Sequence, residues 1–256
     1  MLLKLLKYDF RAMWKQFSLI WGAALALALV NRFTLFRDTA STIFSEDGVL
    51  MFAFMAVIAA MFVIAVIFVV NRFSKGLLGD EGYLMHTLPV RPWQLVASKL
   101  ICGVVTWVGC GVVALLSPVF MLPWNLPDLL RFPFWSDIFR GLIKHPDVLV
   151  LMAELCLATL SFLVLFIASM YLAMAVGHLF SRHRRLISVA AFIGLYIFIA
   201  NLYDWVFSYQ FIQSLVDAAT VNAYGSMLAA SAAMLLPAGL FLAAVCWILE
   251  HKLNLE

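Results

Sequence analysis

Long apolar runs alternate with short polar ones along the whole chain. Residues 49–70 hold no charged side chain across 22 positions, and an uninterrupted run of that length predicts a membrane-crossing helix. The same pattern predicts spans at about 17–36, 97–122, 148–176, 186–203 and 227–249. The first has the shortest apolar heart, Leu19 to Val30, with Asn31 and Arg32 marking its outer boundary. The third carries Pro118 near its end, where a kink is expected. The fourth is longer than one crossing needs, which implies a tilt.

The segments between and before these runs are patterned too. Lys4, Lys7, Arg11 and Lys15 recur every three or four residues, and Leu2, Leu3, Leu5, Leu6, Phe10 and Met13 supply an apolar side. This predicts an amphipathic helix over 1–16 lying in the inner membrane interface, with Asp9 pairing locally among the bases. A basic start before an apolar run also resembles a signal peptide, and Ala24-Leu25-Ala26 offers a cleavage pattern. We take the segment as retained. Residues 123–146, with Pro123, Pro127, Pro133, Trp124 and Trp135, form an outer segment that hugs the interface. Residues 204–226 mix Trp205, Phe207, Tyr209 and Phe211 with Gln210, Gln213, Asp217 and Asn222. They are too polar to span and too apolar for an ordinary loop, so short outer re-entrant or interfacial helices are expected. The fold class is an all-α polytopic membrane protein. It has six transmembrane helices, an N-terminal interfacial amphipathic helix and short outer helices before the last span, in a single transmembrane domain over 1–256.

Composition sharpens this. Hydrophobic residues make up 65% of the chain and charged ones 12%, about half the usual soluble share of ~25%, which excludes a soluble globular domain. A net charge of +3 is too small to argue for a nucleic-acid partner. Cys102, Cys110, Cys156 and Cys246 all fall inside apolar runs and none has a C-x-x-C neighbour, so their expected role is packing. The bases are unevenly placed. With an inner N-terminus, twelve of them (Lys4, Lys7, Arg11, Lys15, Arg72, Lys75, Arg91, Lys99, Arg182, Arg184, Arg185, Lys252) lie on the inner side and five (Arg32, Arg37, Arg131, Arg140, Lys144) on the outer. The positive-inside rule then places both termini and residues 71–96 in the cytoplasm.

Residues 71–96 are the most informative stretch between spans. Gly76, Gly79 and Gly82 permit tight turns and close approach. Asp80 and Glu81 suit the first turn of a short helix through Tyr83 and Met85, bounded by Pro89 and Pro92. Gly79-Asp80-Glu81-Gly82-Tyr83-Leu84, followed by Thr87-Leu88-Pro89-Val90, resembles the first cytoplasmic loop of permease subunits of bacterial ATP-binding-cassette (ABC) exporters of the six-span type. Outside this loop only the order of spans agrees. The resemblance implies that Asp80, Glu81, Gly82, Tyr83 and Leu84 form a coupling helix seated in a groove of a separate ATPase subunit. It also implies two copies of that ATPase, carrying ATP and Mg, and a second permease subunit, identical or homologous. Outer helices before the last span would cap the translocation path. The other reading of the loop is a solvated connection whose acids only solubilise it.

No G-x-x-x-x-G-K-[ST], H-E-x-x-H or G-x-S-x-G motif occurs, so neither nucleotide binding in the P-loop manner nor catalysis is expected of this chain, and no cofactor or metal on it. Gly109-x-Gly111-x-x-Ala114 lacks the strand that would make it a dinucleotide fingerprint and reads as close helix packing. His178 and His183, flanked by arginines, have poor metal spacing and suit a solvated or lipid-phosphate-facing turn. Glu154 is the one clear acid inside a span, where an ionised carboxylate costs about 2.5–3.5 kcal/mol. It either lines a pathway and meets cationic cargo, or lies near the outer end, pairing with Arg140 or Lys144 or taking a proton. The expected function is export of amphipathic cargo such as antimicrobial peptides, drugs or lipids from the bacterial cytoplasmic membrane. The alternative is an ATP-independent membrane immunity, binding or signalling-partner protein.

Overall fold

Once a chain this apolar enters a bilayer, its backbone amides must bond within their own segment, and helices result. The computed structural model describes residues 2–35, 46–78, 92–121, 146–180, 183–208 and 224–251, and all its regular elements are helical. They are α1 (Leu2–Leu35), α2 (Glu46–Phe73) with a π-helical turn continuing it (Ser74–Leu78), α3 (Pro92–Met121), α4 (Pro146–His178), α5 (Arg184–Ser208) and α6 (Tyr224–His251). Five of these, α1, α2, α3, α4 and α6, are long and apolar enough to cross a membrane, and α5 carries a shorter apolar stretch, Leu186–Asn201. The protein is therefore a multi-pass helical membrane protein. Its packing falls into two units, residues 1–69 with 101–144 and residues 70–100 with 145–256.

In the first unit, α1 presents one continuous buried stripe: Asp9, Met13, Phe17, Ala24, Ala28 and Asn31. These recur at three- and four-residue steps or their sum, as one face of an α-helix requires. Phe17 meets Phe68 of α2 edge-on at 5.1 Å, and the Cys102 thiol lies 3.8 Å from Met13 Sδ. Trp21 lies over Gly109 of α3, with its indole N–H donating to Cys110 Sγ at 3.4 Å. Ala24, Met61, Ala65 and Val113 complete this core. Cys102 and Cys110 have the packing role expected of them, and both are buried.

In the second unit, the C-terminal half of α4 is buried on nearly every side, from Leu163 to Gly177. A helix apolar all round belongs at a centre, and α4 packs against both α5 and α6. Leu165 and Ala168 meet Ala238 of α6, with Ile199 of α5 and Phe241 alongside. Gly177 brings the end of α4 close to the start of α5, since a Cβ there would strike the Ser188 side chain and lie 2.8 Å from the Arg184 carbonyl oxygen. The His183 carbonyl accepts from the Ile187 amide at 3.0 Å as α5 begins.

Four sequence expectations need correction. Residues 1–16 and 17–36 are one unbroken 34-residue helix, about 51 Å long at 1.5 Å per residue. Nothing between Leu2 and Trp21 is a glycine or proline, so nothing stops the helix. Met13 and Phe17 face α2 and α3 rather than lipid. Lys7, Arg11 and Lys15 are exposed on the opposite side, given about 100° per residue. Asn31 continues the buried stripe instead of ending the span, and α1 runs on to Leu35. Finally, the connection placed at 71–96 is shorter. Helix persists through Leu78, and α3 starts at Pro92, where a missing amide costs nothing in a first turn. Residues 204–208, assigned to the outer segment, continue α5, and 224–226 open α6. The rest of that segment, like 122–145, lies outside the described residues.

Gly109 and Gly111 offer a direct test of the packing. A Cβ at 109 would collide with the Trp21 ring, whereas one at 111 meets nothing within 4 Å. Gly109→Ala is expected to cost about 1–3 kcal/mol by overpacking, while Gly111→Ala leaves stability unchanged or slightly raised. Thermal unfolding of the purified protein in detergent compares them.

Candidate functional site

Asp80, Glu81, Gly82, Tyr83 and Leu84 lie outside the described residues. What is described is the frame that holds both ends of the 13-residue connection 79–91. Its near side is the end of α2 and the π turn. Phe73, at the last turn of α2, is fully buried and stacks on Tyr171 of α4, with ring centroids 4.1 Å apart and planes 13° from parallel. Both rings are thereby taken out of lipid, and offset aromatic stacks add about 0.5–1.5 kcal/mol beyond burial. Leu77 in the π turn is also fully buried. A π turn widens the helix by one residue per ring and recurs at functional positions.

The far side of the frame is the first two turns of α3, where Leu95, Val96 and Ser98 are buried. The Ser98 hydroxyl donates to the Leu95 carbonyl at 2.9 Å, satisfying itself within its own helix. The two sides touch. Lys99 is 3% exposed, and its Cε and Nζ lie 3.5 and 3.9 Å from where a Cβ on Gly76 would be. Gly76 therefore leaves room for the lysine stem, a close approach rather than a turn. Lys99, counted in the sequence among the inner-side bases, is buried between α3 and the π turn. It is the only charged residue in α3, which is the signal that marks it out in the sequence. Tyr171 is likewise the only tyrosine in α4, but nothing in the sequence pairs it with Phe73.

Glu154, on the first half of α4, is 8% exposed, and its Oε2 is buried with no hydrogen-bond partner among the described residues. Arg140 and Lys144, its expected partners, lie outside them. The neighbouring positions Leu151, Met152, Leu155 and Leu157 are exposed and apolar, so Glu154 is the inward-turned residue of a lipid-facing segment.

The arrangement described is one of packing at the two ends of the connection. Among the described residues, no group of three or more His, Cys, Asp or Glu side chains is placed to hold a metal ion. The frame instead pins a short polar connection by two aromatic rings, a buried lysine stem and a glycine. His178 closes α4 with Leu179 and Phe180 turning back onto the Val176 and Gly177 carbonyls at 3.1 and 3.3 Å. Comparison with protein families, with curated proteins and with solved structures finds no match to this chain.

Removing the ring at 171 tests whether the frame is held as described. Tyr171→Ala is expected to cost about 3–5 kcal/mol, as for other buried aromatics, and to raise proteolysis within 79–91. Tyr171→Phe keeps the stack and should do neither. Limited proteolysis followed by mass spectrometry reads both.

Proposed function

We propose that this chain is the permease subunit of an ATP-driven exporter of the ATP-binding-cassette class, forming half of a translocation pathway. The observation that carries the proposal is the connection 79–91, where Asp80-Glu81-Gly82-Tyr83-Leu84 stand between two spans whose adjoining ends are packed into one unit. A coupling element transmits force only if its base is stiff. The Phe73–Tyr171 stack and the Gly76–Lys99 approach supply that stiffness, which a merely solubilising loop would not need. The charge distribution supports the same topology, with this connection and both termini in the cytoplasm and the chain in the bacterial cytoplasmic membrane.

In this reading α5 is the sixth span. Its 25 residues extend about 37 Å, enough to cross a hydrocarbon core of about 30 Å. Two ATPase subunits carry ATP and Mg, and a second permease, identical or homologous, completes the pathway. Closure of the ATPases on nucleotide moves the coupling segments, which biases the spans between inward- and outward-facing states through differential stabilisation. The cargo is amphipathic: antimicrobial peptides, drugs or lipids. Glu154, buried and acidic within a span, is the pathway residue in this scheme.

Co-purification with a co-expressed ATPase subunit tests the proposal. Wild type is expected to hold the ATPase through detergent extraction and size-exclusion chromatography. Glu81→Arg should lower recovery at least about tenfold, the effect of losing ~1.4 kcal/mol at the contact. If folded wild-type protein retains no ATPase, an ATP-independent binding or immunity role replaces this one. For the pathway, Glu154→Gln is expected to slow ATP-driven accumulation of cationic cargo inside inverted vesicles while folding stays intact. Unchanged export would remove Glu154 from it.

A further inference from the structure

The second unit contains a cleft that the exporter scheme leaves unused. It lies between the start of α3 and the end of α6 and encloses about 490 Å³. It is lined by Leu100 and Leu242, which lie farthest from the helix ends and are taken as its floor, by Cys246, and by Trp93, Trp247 and Glu250, which lie nearest those ends and are taken as its mouth. Seven residues of α3 and eight of α6 separate floor from mouth, a depth of about 10–12 Å. Trp93 and Trp247 are 50% and 54% exposed, so each offers an open indole face. The His251 ring stacks against Trp247 at 5.7 Å and fixes that indole's orientation.

The chemistry of the lining is one-sided. Among the described lining residues there is one acid and no base, and everything below the mouth is apolar. A carboxylate beside two indoles attracts a cation, by charge and through the negative faces of the rings. An apolar floor attracts a hydrocarbon or aromatic body. A phospholipid fits poorly: its phosphate would meet Glu250 with no described lining base to offset it, and the volume is small for two acyl chains.

We propose that this cleft binds a lipophilic amine, a single cation on an apolar body, with the ammonium between Glu250 and the two tryptophans and the apolar part against Leu100 and Leu242. The site is built from α3 and α6 alone. It stands whether or not an ATPase docks at 79–91, so failure of either experiment leaves the other reading untouched.

Cys246 is a built-in reporter. Cys102 and Cys110 are buried, so in a Cys156→Ala background the thiol at 246 is the only one not buried. The rate of maleimide labelling of full-length protein in neutral detergent is measured with dodecylamine, dodecanoate, phosphatidylethanolamine or phosphatidylglycerol added. Dodecylamine is expected to slow labelling at least about fivefold, with the other three near the unprotected rate. Glu250→Gln should abolish most of that protection, and Glu250→Lys should transfer it to dodecanoate. Glu250 is exposed, so neither change is expected to alter the melting temperature. Equal protection by amine and carboxylate, or protection that survives Glu250→Gln, would overturn the proposal and leave a non-selective apolar groove. Protection by either phospholipid that matches the amine would overturn it in favour of a lipid site.

Discussion

Each polar group carried into the hydrocarbon must find its partner within reach of its own helix, and this structure depends on that requirement. The backbone meets it by forming long helices. The hydroxyls meet it by bonding back along them: Thr106 donates to the Cys102 carbonyl at 2.8 Å, Ser161 to Leu157 at 2.8 Å and Ser169 to Phe166 at 2.7 Å. Asn201 does the same with its amide, to the Ile197 carbonyl at 2.7 Å. Such side chains place polar atoms inside packed faces without needing a neighbour, so the helices remain free to choose partners by shape.

Shape then decides the packing, because lipid offers no hydrophobic penalty to drive helices together. Small residues and close contacts take over that role. Gly109 admits the Trp21 ring, Gly177 admits the start of α5, and Ala24, Ala28, Ala65 and Ala238 let neighbouring surfaces approach. Sulfur contributes in the same place: Met13, Cys102 and Cys110 fill the α1–α2–α3 core with soft, polarizable atoms. Gly76 lies beside the buried stem of Lys99, whose Cε would be at ordinary contact distance, 3.5 Å, from a Cβ there.

The departures from these rules are few. A buried lysine, a π turn and a stacked aromatic pair surround the short connection whose sequence resembles a coupling loop. A buried acid lies half-way along the chain on α4, and a second acid stands at the mouth of the cleft between α3 and α6. Intramembrane and interfacial charges are costly, and Lys99 and Glu154 are turned inward, each almost fully buried.

The sequence by itself determined the class, an all-helical chain with several membrane-length apolar helices, because a run of some twenty apolar residues has only one way to satisfy its backbone in lipid. Residues 49–70 needed no structure to be recognised, and apart from the first, whose helix begins at Leu2, the other apolar runs fell within about five residues of their helices. Boundaries were less legible. Lys15 and Gln16 look like an interface edge, and Asn71 and Arg72 like a loop, yet helix passes through both pairs because no breaker interrupts it. Asp80 to Leu84 were read as a coupling segment from a motif alone, and they lie outside the described residues. What the tertiary structure alone decided is which faces meet: that Met13 and Phe17 turn to protein and not lipid, that Phe73 finds Tyr171, and that Lys99 lies against Gly76. Hydrophobicity cannot distinguish those choices in an apolar solvent, since a leucine facing lipid and a leucine facing a helix have the same transfer energy. Steric fit between residues distant in sequence makes the distinction.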